Sequence, residues 1–98
     1  MRKEDGMRVN IGTVRAFPGV LPDKAQALKV VEEAAEVFSA WEQWSSVRDE
    51  GVRGMLVGEL ADCVTACANL AASLGVYDLA RAVKEAEVRN EERGRYAE

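Results

Sequence analysis

The chain has 98 residues, 48% hydrophobic and 31% charged, with a net charge of −4 and no histidine. That length allows one domain with a comparatively small buried share, which makes association with a second copy favourable. The acidic balance, with Lys and Arg dispersed among acids, argues against binding to a nucleic-acid polymer, and two cysteines without histidine exclude a four-ligand zinc site.

In chain order, the opening MRKEDGMRVN is too charged to contain a signal-peptide core, which predicts a cytoplasmic protein. Residues 1–20 keep no sustained period and end near the breakers Pro18-Gly19 and Pro22, so an irregular lead-in is expected before a helical domain over 21–98. A first helix is predicted over 23–46, a stretch free of Gly and Pro. Its apolar positions, among them Ala27, Val30, Val31, Ala34, Val37, Phe38, Trp41 and Trp44, span an arc of roughly 200°, so this helix needs more than one neighbour. SSVRDEGVRG reads as a polar loop or helix break.

A second helix is predicted over 52–74, closed by Gly75, with a seam of Leu56, Leu60, Val64, Cys67, Ala71 and Leu74 in antiparallel-bundle spacing. The run MLVGELADCVTACANLAASL has transmembrane length, but Glu59 and Asp62 inside it make insertion costly, so a buried helix of a protein outside the membrane is expected. Cys63 and Cys67 read as small buried hydrophobes. Asp78 is placed to cap a third helix over 79–93, with Leu79, Ala82, Val83 and Ala86 inward and Gly94 ending it. The fold expected is all-α, an antiparallel helical hairpin plus a third helix, assembling into a four-helix-bundle-type homodimer or homotetramer.

Two acidic pairs interrupt this apolar pattern. Glu33 and Glu36, and again Glu59 and Asp62, stand one helical turn apart, where like charges repel. Lys29 is available to Glu33, but neither Glu59 nor Asp62 has a basic residue three or four positions away. Buried carboxylates must protonate, pair or bind metal, and four of them without histidine suit a hard, oxygen-loving ion, Mg²⁺ with Mn²⁺ as a substitute. Mg²⁺ held by carboxylates keeps positions for phosphate oxygens, so a phosphate ester or anhydride is the expected substrate. On the third helix, Asn90 and Arg93 continue the inward line and suit phosphate oxygens; on the second, Asn69 lies seven after Asp62 on the same face, placed to donate to a base or sugar.

Glu33-x-x-Glu36, twenty-two residues, then Glu59-Leu-Ala-Asp62, an apolar helix and RNEERGR, together resemble the MazG-like all-α nucleoside triphosphate pyrophosphohydrolases, whose relatives include dimeric dUTPases and dCTP pyrophosphatases. The similarity covers roughly residues 24–95. It implies that Glu33, Glu36, Glu59 and Asp62 coordinate Mg²⁺, that an activated water cleaves a (d)NTP to (d)NMP and pyrophosphate, and that Glu32 or one of these acids orients the water. It places Asn90 and Arg93 near the phosphates, and it implies a dimer or tetramer with sites built from more than one subunit. One position departs: the family often has a lysine four residues before the asparagine, and here that residue is Ala86. Lys84 lies on nearly the opposite side of the helix, and Arg89 or another subunit is left to substitute. Trp41 and Trp44 read as core or interface residues before base-stacking ones. Two other readings stand beside the hydrolase: a relative that binds nucleotide and metal without turnover, and a plain helical oligomerisation module.

Overall fold

The computed structural model of the chain describes residues 8–97, which form three α-helices and, among the described residues, no strand. They are α1 (Lys24–Val47), α2 (Glu50–Ser73) and α3 (Ala80–Glu92). The all-α expectation holds, as does the hairpin followed by a third helix. Two compact units divide the chain, one containing residues 14–77 and the other residues 8–13 with 78–97.

In the first unit, α1 begins where Asp23 in extended backbone accepts a hydrogen bond from the Gln26 N–H at 3.0 Å. An Ala at an N-cap leaves that donor without its partner. Asp23→Ala is therefore expected to lose about 1 kcal/mol of stability, read from the midpoint of urea unfolding. The helix runs further than the polar composition of SSVRDEGVRG suggests, and the expected loop shrinks to two residues. Arg48 adopts a left-handed φ of 54°, its N–H donates to the Trp44 carbonyl at 2.7 Å, and its guanidinium lies 4.3 Å from the centre of the Trp44 ring. Asp49 then caps α2 by accepting from the Gly51 N–H at 2.7 Å. The second helix consequently starts at Glu50, two residues before the expected Val52.

A connection that short forces α1 and α2 antiparallel, and they pack along their length. At the far end Gly75, with φ +76°, closes α2: its N–H bonds the Ala72 carbonyl and the Val76 N–H bonds that of Ala71. The less exposed positions mark the hairpin seam: Gln26, Val30, Glu33, Val37, Ala40, Trp44 and Ser45 on α1, and Val52, Leu56, Glu59 and residues 63–66 and 68–73 on α2, with Ala40, Ala66 and Asn69 buried. Of the expected seam of α2, Leu56, Val64 and Ala71 are shielded, whereas Leu60, Cys67 and Leu74 are exposed. At those three positions the choice by periodicity fell to the side of the seam, onto an oilier stripe.

Nor is α2 a buried helix within this chain, since only its Ala66 and Asn69 are buried. With a single partner helix, a rod can shield only one of its faces. Among the described residues α2 alone is long and apolar enough to cross a membrane by length and composition. Cys63 is half-buried and Cys67 exposed, both as free thiols, so Cys67 is not the buried hydrophobe expected.

In the second unit, the Ala80 N–H donates to the Asp78 carboxylate at 3.2 Å, while Leu79 occupies the cap position of α3 without a side-chain bond. The shielded positions of α3 are Ala86, Glu87 and Asn90; Leu79 and Val83, expected inward, are exposed. Glu87 is held by the Arg8 guanidinium through two hydrogen bonds of 3.1 Å, which keep its carboxyl below the usual carboxylate range.

Candidate functional site

Glu33 reaches inward because it occupies a seam position of α1 between Val30 and Val37, and Glu59 does the same on α2 between Leu56 and Cys63. Asp62, one turn after Glu59, is exposed at the edge of the seam. Helix pairing therefore brings acids from both helices together: one carboxylate oxygen each of Glu33, Glu59 and Asp62 lies within 4.8 Å of the others. Partial burial pushes the Glu59 carboxyl above its ordinary range, and the charges of Glu36, Asp62 and Glu33 push it the same way. Glu36 stands outside the three-residue cluster and is exposed, yet it is near enough to act on Glu59.

One cation borders the acids. Lys29 Nζ lies 3.2 Å from Glu33 Oε1 and 3.6 Å from Glu32 Oε2, and the hydrogen bond to Glu33 raises the lysine above its usual range. Three carboxylate oxygens without nitrogen or sulfur donors are the ligand type that a hard divalent ion takes. The donor set suits Mg²⁺ or Mn²⁺, and the salt bridge to Lys29 is the contact such an ion would compete with.

Beside the cluster, a pocket of about 510 Å³ opens between the two helices and the lead-in. Residues Phe17 to Leu21 form one wall, turning at Pro18-Gly19, where Gly19 takes a left-handed φ of 73°. Lys29, Glu33 and Asp62 line one part of it, and Thr65, Ala66 and Asn69 the α2 side. Asn69 is only 2% exposed, and its Oδ1 accepts the Phe17 N–H at 2.8 Å. No known family, curated protein or solved structure matches this chain.

The fold thus assembles four of the seven residues singled out in the sequence, Glu33, Glu59, Asp62 and Asn69, around one acid cluster and its pocket. Asn90 and Arg93 belong to the other unit. There Asn90 is half-buried on α3, whereas Arg93 has left the helix to become its exposed C-cap and so does not extend an inward stripe. Trp41 is exposed and stacks on Phe38 with ring centres 6.0 Å apart, and Trp44 sits in the seam; neither lines the pocket. Sequence reasoning missed Phe17, Val20 and Leu21. Their only signal was a cluster of apolar residues around Pro18-Gly19 in an otherwise irregular segment.

Proposed function

We propose that this chain is a Mg²⁺-dependent nucleoside triphosphate pyrophosphohydrolase of MazG-like type, cleaving (d)NTPs to (d)NMPs and pyrophosphate in a cytoplasmic, house-cleaning role. The observation that carries the reading is the convergence of Glu33, Glu59 and Asp62 beside a pocket large enough for a nucleotide. Pockets for small molecules occupy about 300–1,000 Å³, and this one lies within that range. Repelling acids held against one another in a partly apolar seam weaken the fold unless a cation joins them.

In this reading Glu33, Glu59 and Asp62 hold the ion, and Glu36 adds negative charge beside them. A bound Mg²⁺ supplies charge neutralisation for phosphate oxygens and acidifies a coordinated water. Glu36, exposed and close to Glu59, is placed to accept a proton from the attacking water. Lys29, once its contact with Glu33 yields, presents an ammonium to phosphate oxygens from the pocket wall. That lysine also offers this chain a cation that the Ala86 position lacks. Asn90 and Arg93 remain candidate phosphate contacts by resemblance, and a homodimer or homotetramer completes the fold.

The test is release of pyrophosphate and phosphate from a panel of standard and modified (d)NTPs, with Mg²⁺ or with EDTA. Pyrophosphate released only with metal supports the hydrolase; no turnover with any nucleotide by folded protein overturns it. The Lys29–Glu33 salt bridge and Ala86 favour a second reading, a module that binds nucleotide and metal without turnover. Nucleotide-dependent thermal stabilisation without product distinguishes it.

A further inference from the structure

Asn69 is the most buried polar side chain among the described residues, yet neither N–H of its amide is used by the protein. A backbone N–H can only donate, so the bond from Phe17 fixes the carboxamide with Oδ1 toward residue 17 and the NH₂ group away from it. That NH₂ group has no hydrogen-bond acceptor among the described residues, but it is not sealed off: no fully buried side-chain nitrogen or oxygen lacks a partner. Asn69 lines the pocket. A donor in so buried a setting needs an acceptor, which water supplies in the pocket and a ligand supplies on displacing it.

The surroundings state the ligand's chemistry. Phe17, Val20 and Leu21 supply an apolar wall that suits the face of a planar ring. Thr65 cannot replace Asn69 as a donor, because its hydroxyl already donates to the Ala61 carbonyl at 3.0 Å. Along α2, Asp62 and Asn69 are seven residues apart, a rise of about 10.5 Å, comparable to the length of a nucleoside monophosphate. Asp62 stands at one end of that span and the Asn69 amide at the other.

Resting on the nucleotide reading above, we propose that the pocket walled by residues 17–21 takes the nucleoside, and that the Asn69 amide selects a base presenting a carbonyl where its relative presents an amino group. A group that only donates bonds to a keto oxygen, which accepts, and repels an amino group, which also donates. UMP then binds more tightly than CMP, and IMP more tightly than AMP. One hydrogen bond of this kind is worth a ratio of roughly three- to tenfold.

Isothermal titration of the full chain with UMP, CMP, IMP and AMP tests this without turnover. Asn69→Asp is the informative variant: one carboxylate oxygen still accepts from Phe17, while the other turns the pocket-facing group from donor to acceptor. Its extra charge lowers every affinity together, so the ratio is what is read, and the expected result is its reversal in favour of CMP and AMP. Val20→Trp, which fills the pocket and leaves the Asn69–Phe17 bond intact, is expected to weaken all four ligands at least tenfold and keeps the test decisive if Asn69→Asp does not fold. Equal binding of the keto and amino members by the wild type overturns the proposal. So do an unchanged ratio in folded Asn69→Asp and unchanged affinities in Val20→Trp. Triphosphate hydrolysis with no base ratio would sink the pocket assignment and spare the hydrolase; a ratio that reverses without hydrolysis would do the opposite.

Discussion

Asp62→Asn and Glu59→Gln are each expected to remove metal-dependent pyrophosphate release, by a factor of at least about 100, while leaving the helices formed. The magnitude follows from losing one anionic ligand of a site that must neutralise phosphate charge in the transition state, where such electrostatic contacts are worth about 2.7–4 kcal/mol. Stability should move the other way for Glu59. Its carboxyl is raised in the folded chain by partial burial and by the neighbouring acids, so its ionised form opposes folding at neutral pH. That opposition is present above the raised folded value and is relieved as pH falls through it toward the unfolded value. Without metal, Glu59→Gln therefore melts higher than the wild type at neutral pH, and the difference shrinks on acidification. Mg²⁺ separates this from mere repulsion. At 100 times its Kd, a ligand of the folded state adds about 2.7 kcal/mol, and each kcal/mol raises Tm by roughly 4–8 °C in a domain this small. A wild-type Tm that ignores Mg²⁺, with the variant equally stabilised in its presence and absence, would leave only the helical oligomerisation module standing.

The helices were legible because their punctuation is local. Gly75 and Gly94 act within one turn of themselves, and each stands just past the end that its helix adopts. Where punctuation depended on a less common conformation, reading failed: Arg48 in a left-handed geometry is not a residue type that announces a two-residue link. Half of the seam failed for a different reason. Periodicity ranks stripes by hydrophobicity, and the stripe through Leu60, Cys67 and Leu74 is oilier than the one through Glu59, Asn69 and Ser73. The hairpin nevertheless turns the more polar stripe inward.

The acid cluster could be read ahead of the structure because like charges at i and i+3 without basic neighbours are anomalous in an apolar helix, whatever lies opposite. The pocket could not, because a loop wall has no period. The pairing of Phe17 with Asn69, fifty-two residues apart, ties the lead-in to α2.

The same displaced stripe leads to the second large effect. Adding one to each seam position rotates about 100° around a helix, and because α1 and α2 are antiparallel the two steps turn in opposite senses and emerge on one side of the hairpin. That side carries Ala27, Val31, Ala34, Phe38 and Trp41 from α1, and Val57, Leu60, Val64, Cys67, Ala71 and Leu74 from α2, both in the 3-and-4 spacing of a bundle seam. Val31 is 63%, Phe38 60% and Leu74 64% exposed, while the only buried hydrophobic residues among those described are Ala40 and Ala66. A hairpin with so little core and a second apolar face is expected to form half of a four-helix bundle. The predicted occupant is a second hairpin of the same sequence, packing this face on its own. Phe38→Glu combined with Leu60→Glu is accordingly expected to convert the assembly to a 10.7 kDa monomer and to lower its Tm. Each substitution forfeits about 1.5–3 kcal/mol of burial and places a charge in the interface core. Sedimentation equilibrium decides it: wild type should run at two or four times the chain mass. A wild-type chain that is monomeric across the micromolar range, or a double variant with unchanged mass and Tm, would show that this face is covered by something other than a second copy.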